Sequence, residues 1–83
     1  MEYKKFDIIT LKNNNKLVVL ETLEHEGITY LYVDKVNEEE TDNLGEYQIY
    51  KVCGNNIVQK ETNTDILISI LPLFSKNIKL NQE

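Results

Sequence analysis

Leu17-Val18-Val19-Leu20-Glu21-Thr22-Leu23-Glu24-His25-Glu26-Gly27-Ile28-Thr29-Tyr30-Leu31-Tyr32-Val33 reads as two strands joined by a turn. Strict alternation from Leu17 to Leu23 puts Leu17, Val19, Glu21 and Leu23 on one side of a pleat and Val18, Leu20 and Thr22 on the other. Apolar residues occur on both sides near its start, which predicts a strand covered on both faces. Glu24 to Gly27 is the turn, with Gly27 free to take positive φ. Ile28 to Val36 then alternates Ile28, Tyr30 and Tyr32 against Thr29, Leu31 and Val33. Two strands with so short a connection pair antiparallel, and the hairpin sets the fold class.

The same grammar extends in both directions. Phe6 to Leu11 is apolar and β-branched, and Lys12-Asn13-Asn14-Asn15-Lys16 follows as a turn, because Asn tolerates a left-handed backbone. Asn37 to Leu44 is a polar, acidic loop. Gly45 to Cys53 is a strand with Tyr47, Ile49 and Lys51 on one side and Gln48, Tyr50 and Val52 on the other. Gly54-Asn55-Asn56 marks a turn, and Ile57 to Glu61 is a short last strand. The period then changes. After the N-cap candidates Thr62-Asn63-Thr64-Asp65, residues Ile66, Leu67, Ile70, Leu71, Phe74 and Ile78 recur at helical spacing. Pro72 interrupts this pattern, since it lacks an N–H and clashes with the preceding turn; it either kinks the helix or opens a second short helical turn. The expectation is an α+β domain over 1–83: an antiparallel meander of about five strands, one C-terminal helix packed on a face, and a frayed tail from Asn81.

Composition narrows the class. Hydrophobic residues make up 41% and charged residues 28% of the chain, a globular balance and not a disordered one. Arg and Ala are absent while Asn, Ile and Lys abound, the codon signature of an AT-rich genome such as a low-GC bacterium or its phage. Cys53 is the sole cysteine, so no internal disulfide can form. Residues 1–6 carry no signal-like apolar run, and Ile66 to Phe74 is too short to span a bilayer. These features predict a cytoplasmic setting without membrane association.

Charge is the strongest functional clue. Nine carboxylates and one lysine lie between Glu21 and Glu46, a formal charge of −8 in a chain of net charge −5. An anionic middle attracts cations or basic partners and repels nucleic acid.

The run Val19 to Val33, then Glu38-Glu39-Glu40, Tyr47 to Val52 and the helix after Asp65, resembles the YrzB-like family of small acidic Firmicute proteins. Its members carry an apolar-acidic strand, an E-x-E-G-x-x-Y motif, matched here by Glu24, Glu26, Gly27 and Tyr30, and a strand ending in an acidic loop. The family is one of unknown function. The resemblance implies a fold and a cellular setting and no catalytic residue.

Other chemistry is weakly signalled. His25 between Glu24 and Glu26 could ligate a metal, but neighbouring strand residues point to opposite faces, and a solvated turn is favoured. Glu38, Glu39, Glu40 and Asp42 lack the EF-hand spacing. Cys53 reads as a half-buried structural thiol, although Lys51 could share its face. No phosphate loop, nucleophile triad or paired acid is present, and neither enzyme chemistry nor a cofactor or metal is expected. Tyr30 and Tyr32 share a side; if Tyr47 joins them, the sheet presents an aromatic patch, unless these rings pack under the helix.

The expected role is a non-enzymatic interaction module that docks a basic protein surface through Glu21, Glu24, Glu26, Tyr30, Tyr32, Glu38, Glu39, Glu40, Asp42 and Tyr47. One version blocks a nucleic-acid-binding enzyme by filling its basic groove. The alternative is a scaffold that forms a homodimer through its tyrosine side or an open strand edge.

Overall fold

The computed structural model describes residues 3–54 and 57–81, with helix side chains placed through residue 76. Five antiparallel strands, β1 (Ile8–Thr10), β2 (Lys16–His25), β3 (Ile28–Val36), β4 (Asn43–Gly54) and β5 (Ile57–Lys60), form a curled sheet in sequence order, followed by one helix, α1 (Thr64–Asn81). Sequential order is what short connections impose, because each strand returns beside the one before it. The β2–β3 connection is a two-residue turn in which Glu26 (φ 52°) and Gly27 (φ 79°) are both left-handed. That geometry matches the twist of the flanking strands. In the β1–β2 turn Asn14 takes φ 69°, as the Asn run anticipates.

Two features depart from the sequence reading. The first strand is shorter than Phe6–Leu11. Phe6 sits outside it at φ 72° with its ring exposed, in a turn where the Asp7 N–H donates to the Lys4 carbonyl (3.1 Å). The Phe6 N–H donates to the Val19 carbonyl (2.6 Å) and the Val19 N–H to the Asp7 carbonyl (2.9 Å), which fixes this turn against β2. The second departure decides the core. Val19 pairs with Val33 but Glu21 pairs with Tyr32, so β2 is bulged at Leu20. Directly opposed residues share a face. Leu17 and Val19 therefore lie on one face and Glu21 and Leu23 on the other, which corrects the strict alternation. A bulge inserts one unpaired residue and reverses the parity of all that follows.

Both faces are thereby filled. Leu17, Val19, Leu31, Val33 and Tyr50 form one buried cluster, against which Ile9 and Leu11 from one edge of the sheet and Val52 and Val58 from the other also pack. The curl closes over this cluster. Tyr30, Ile49, Ile70 and Phe74 form the second cluster, with Leu23, Tyr32, Ile66 and Leu67 packed around it. Each fully buried side chain of this size stabilises the fold by roughly 1.5–3 kcal/mol. Asn63 caps α1: its Oδ1 accepts from the Asp65 N–H (2.9 Å) and the Ile66 N–H (3.3 Å). The helix runs through Pro72 and does not end there. The predicted tail lies outside the described residues apart from Asn81, which closes α1, and so do Asn55, Asn56 and the side chain of Ile78. Among the described residues no helix is long and apolar enough to cross a membrane.

Candidate interaction surface

The register of β3 and β4 sets the aromatic residues. Tyr30 pairs with Lys51, Tyr32 with Ile49 and Asp34 with Tyr47, so Tyr30, Tyr32 and Tyr47 share one face. Their environments differ. Tyr30 is 2% exposed and belongs to the cluster with Ile70 and Phe74. Tyr32 is half-buried, its ring 5.8 Å from Phe74 and tilted by 35°. Tyr47 is 58% exposed and stacks on Tyr32 with centroids 5.6 Å apart and planes within 4°. The result is a two-ring platform, anchored at the helix and open at Tyr47. The Tyr32 phenol is pushed above its ordinary value, first by burial and then by the nearby Tyr47 and Asp34.

Asp34 positions the platform. It is 1% exposed, and its carboxylate accepts from the Glu46 N–H (Oδ1, 2.7 Å) and the Gly45 N–H (Oδ2, 3.2 Å). These bonds hold the start of β4, where Gly45 takes φ 74° and the register shifts between Asp34 and Val36.

The β3–β4 loop is self-bonded. Asn37 Oδ1 accepts from the Thr41 N–H (2.9 Å) and the Asp42 N–H (3.1 Å), and its Nδ2 donates to Thr41 Oγ1 (2.9 Å). Lys16 ties the loop to β2: its Nζ donates to the Glu38 carbonyl (3.1 Å) and pairs with Glu40 Oε2 (2.9 Å). Glu38, Glu39, Glu40, Asp42 and Glu46 are exposed. A polar cleft of about 240 Å³ lies beside the loop, lined by Asn13 to Lys16, Lys35 and Glu38 among others. It falls below the usual range of small-molecule sites, about 300–1,000 Å³.

The carboxylates do not form one patch. Glu24 and Glu26, both exposed, sit at the β2–β3 turn, while Glu38 to Asp42 sit at the other end of β3. The nine residues of β3 separate the two groups by about 26 Å at the usual rise, more than twice the ~10 Å screening length in ordinary salt. Glu21 is buried and pairs with Lys5 (3.1 Å). The single contiguous patch expected from the charge run is thus replaced by two exposed groups and a buried acid. Of the ten candidate residues, Glu38, Glu39, Glu40 and Asp42 lie in the loop at one end of β3, Tyr47 stands opposite Asp34 two residues before that end, and Tyr32 lies at mid-strand. Glu24 and Glu26 lie at the other end, and Glu21 and Tyr30 are interior.

His25 is half-buried at the end of β2, opposite Ile28, and no group of three or more His, Cys, Asp or Glu that could hold a metal occurs among the described residues. Cys53 is exposed, contrary to the half-buried expectation, because β4 is irregular between Val52 and Gly54; its Sγ lies 3.5 Å from Gln59 Oε1. The sequence reading missed the burial of Asp34, counted in the acidic run, and of Glu61, read as the end of the last strand. Glu61 is buried; its Oε2 accepts from the Asn63 N–H (3.2 Å), and its Oε1 has no hydrogen-bond partner among the described residues. It also put Leu71 in the stripe expected to pack on the sheet, whereas Leu71 is exposed, and it missed the exposed Ile68 and Leu73. The signal for these was present, since the helix is apolar on more than one side. No family model matches this chain, and no curated protein or solved structure matches it either.

Proposed function

We propose that this chain is a non-enzymatic interaction module that docks a basic surface of a partner protein through the Tyr32–Tyr47 platform and the acidic β3–β4 loop. The observation that carries this reading is the stacked ring pair, whose outer member is exposed and stands opposite Asp34, two residues before β3 passes into a loop of exposed carboxylates. A lysine or arginine over an exposed aromatic face gains about 0.5–1 kcal/mol, and more as water is excluded. The loop carboxylates speed encounter, and the rings supply the short-range affinity. Occupation of the basic groove of a nucleic-acid-binding enzyme, in a cytoplasmic bacterial or phage setting, is the version that fits the charge best. Nucleic acid itself is a poor ligand for a chain of net charge −5 without arginine.

The test is capture of the partner from the native host with the full chain, followed by titration of the purified pair. Tyr47→Ala is expected to weaken binding by about tenfold or more, as truncation of an anchoring aromatic does. Affinity is expected to fall steeply as salt rises. A partner bound equally by wild type and Tyr47→Ala, with affinity flat in salt, removes the proposal.

A further inference from the structure

One face of α1 repeats itself when read backwards. Asp65, Ile68, Ser69, Pro72, Leu73 and Lys76 follow one another at spacings of three, one, three, one and three residues, which keeps them on one side of a helix. All six are exposed, Ile68 at 65%. This side lies away from Ile70 and Phe74, which belong to the buried cluster. Each pair (Asp65 with Lys76, Ile68 with Leu73, Ser69 with Pro72) is placed symmetrically about the midpoint between Ile70 and Leu71. Asp65 and Lys76 make no ion pair among the described residues.

We propose that this face binds a second copy of the chain, with the two α1 helices packed antiparallel about a two-fold axis at that midpoint. Such an axis brings Asp65 of each copy to Lys76 of the other and Ile68 to Leu73, with Ser69 and Pro72 at the crossing. A two-fold interface must be self-complementary, and a stripe with opposite charges at its two ends and apolar residues between them meets that condition. Short side chains at the crossing allow helix axes to approach to about 8–10 Å. Charge also selects the occupant. The chain carries net charge −5, and its exposed carboxylates crowd the loops, so copies repel through most of their surface. Among the residues whose side chains are described, this helix face has one acid and one base and is neutral. A basic partner finds only one carboxylate there. The dimer leaves the Tyr47 platform of each copy open, and it stands or falls independently of that platform's ligand.

The experiment is light scattering and sedimentation equilibrium of the full chain across a concentration series. The mass is expected to rise from 9.7 kDa toward twice that value as concentration increases. Ile68→Glu is expected to raise the dissociation constant about tenfold or more, with the circular dichroism spectrum unchanged. Asp65→Lys and Lys76→Asp each set like charges against each other in a homodimer and weaken it. An equimolar mixture of these two variants restores opposite charges at both contacts, and its heterodimer is expected to be tighter than either homodimer. A wild-type mass fixed at 9.7 kDa overturns the proposal. So does a dimer indifferent to Ile68→Glu, or a mixture no tighter than its separate components.

Discussion

At the scale of single residues, two acids show how little charge says about location. Asp34 and Glu21 both sit in strands, and both are buried. Each carboxylate is held by polar partners: Asp34 by two backbone N–H groups, Glu21 by the Lys5 ammonium and the Thr22 N–H. Removing a buried charged acceptor strands its donors, and bonds to charged groups are worth about 1.5–3 kcal/mol each. Asp34→Ala is therefore expected to lower unfolding free energy by roughly 3 kcal/mol in urea titration. A loss below about 1 kcal/mol, within the range of an ordinary neutral hydrogen bond, means that the Gly45 and Glu46 amides find other partners. The exposure of Tyr47 was not legible in its strand pattern, because the same alternation describes Tyr30, which is buried in a cluster with Ile70 and Phe74.

At the scale of elements, the bulge in β2 is the decisive device. If Leu20 paired opposite Tyr32 with no bulge, Glu21 and Leu23 would turn toward the Leu31 and Val33 side. Glu21 would then lose Lys5 and face an apolar cluster, and the second cluster would lose Leu23. Deletion of Leu20 removes the extra residue and leaves Glu21 opposite Tyr32, so the cooperative thermal transition and the near-ultraviolet tyrosine signal are expected to survive it. Leu20→Ala, which keeps the bulge, is expected to retain both as well. A deletion variant that loses the transition shows that the core depends on the bulge itself and not only on the pairing it sets. Nothing in Val19-Leu20-Glu21 marks the bulge, since apolar residues at Val18, Val19 and Leu20 fit either parity. The β2–β3 turn is the opposite case. Gly27 signalled it because the residue type is tied to the backbone region it must occupy.

At the scale of the whole molecule, the two faces of the sheet share one titration property. Burial raises the phenol of Tyr50 on the curled face, and burial with neighbouring Tyr47 and Asp34 raises that of Tyr32 on the helix face. A raised phenol keeps its proton in the folded state at a pH where the unfolded chain has lost it. The stability it contributes is whole below the ordinary value of 10.0 and is lost as pH climbs through the folded value. Unfolding free energy is thus expected to hold level up to the ordinary value of 10.0 and to fall between it and the raised folded value. Tyr32→Phe and Tyr50→Phe are expected to fall less steeply than wild type. Equal slopes in all three proteins show that neither phenol carries the alkaline loss.

The sequence by itself determined what is local and periodic: five strands in order, the faces of β3 and β4, the turns at Asn14 and Gly27, and a helix after Asn63. Alternation and helical spacing are properties of neighbouring residues, so they survive in one dimension. Only the tertiary structure decided the bulge, the burial of Glu21 and Asp34, and the division of the exposed acids between opposite ends of β3. Each of these depends on which residues of other strands come to lie opposite, and pairing across strands is not written in the composition of any one of them.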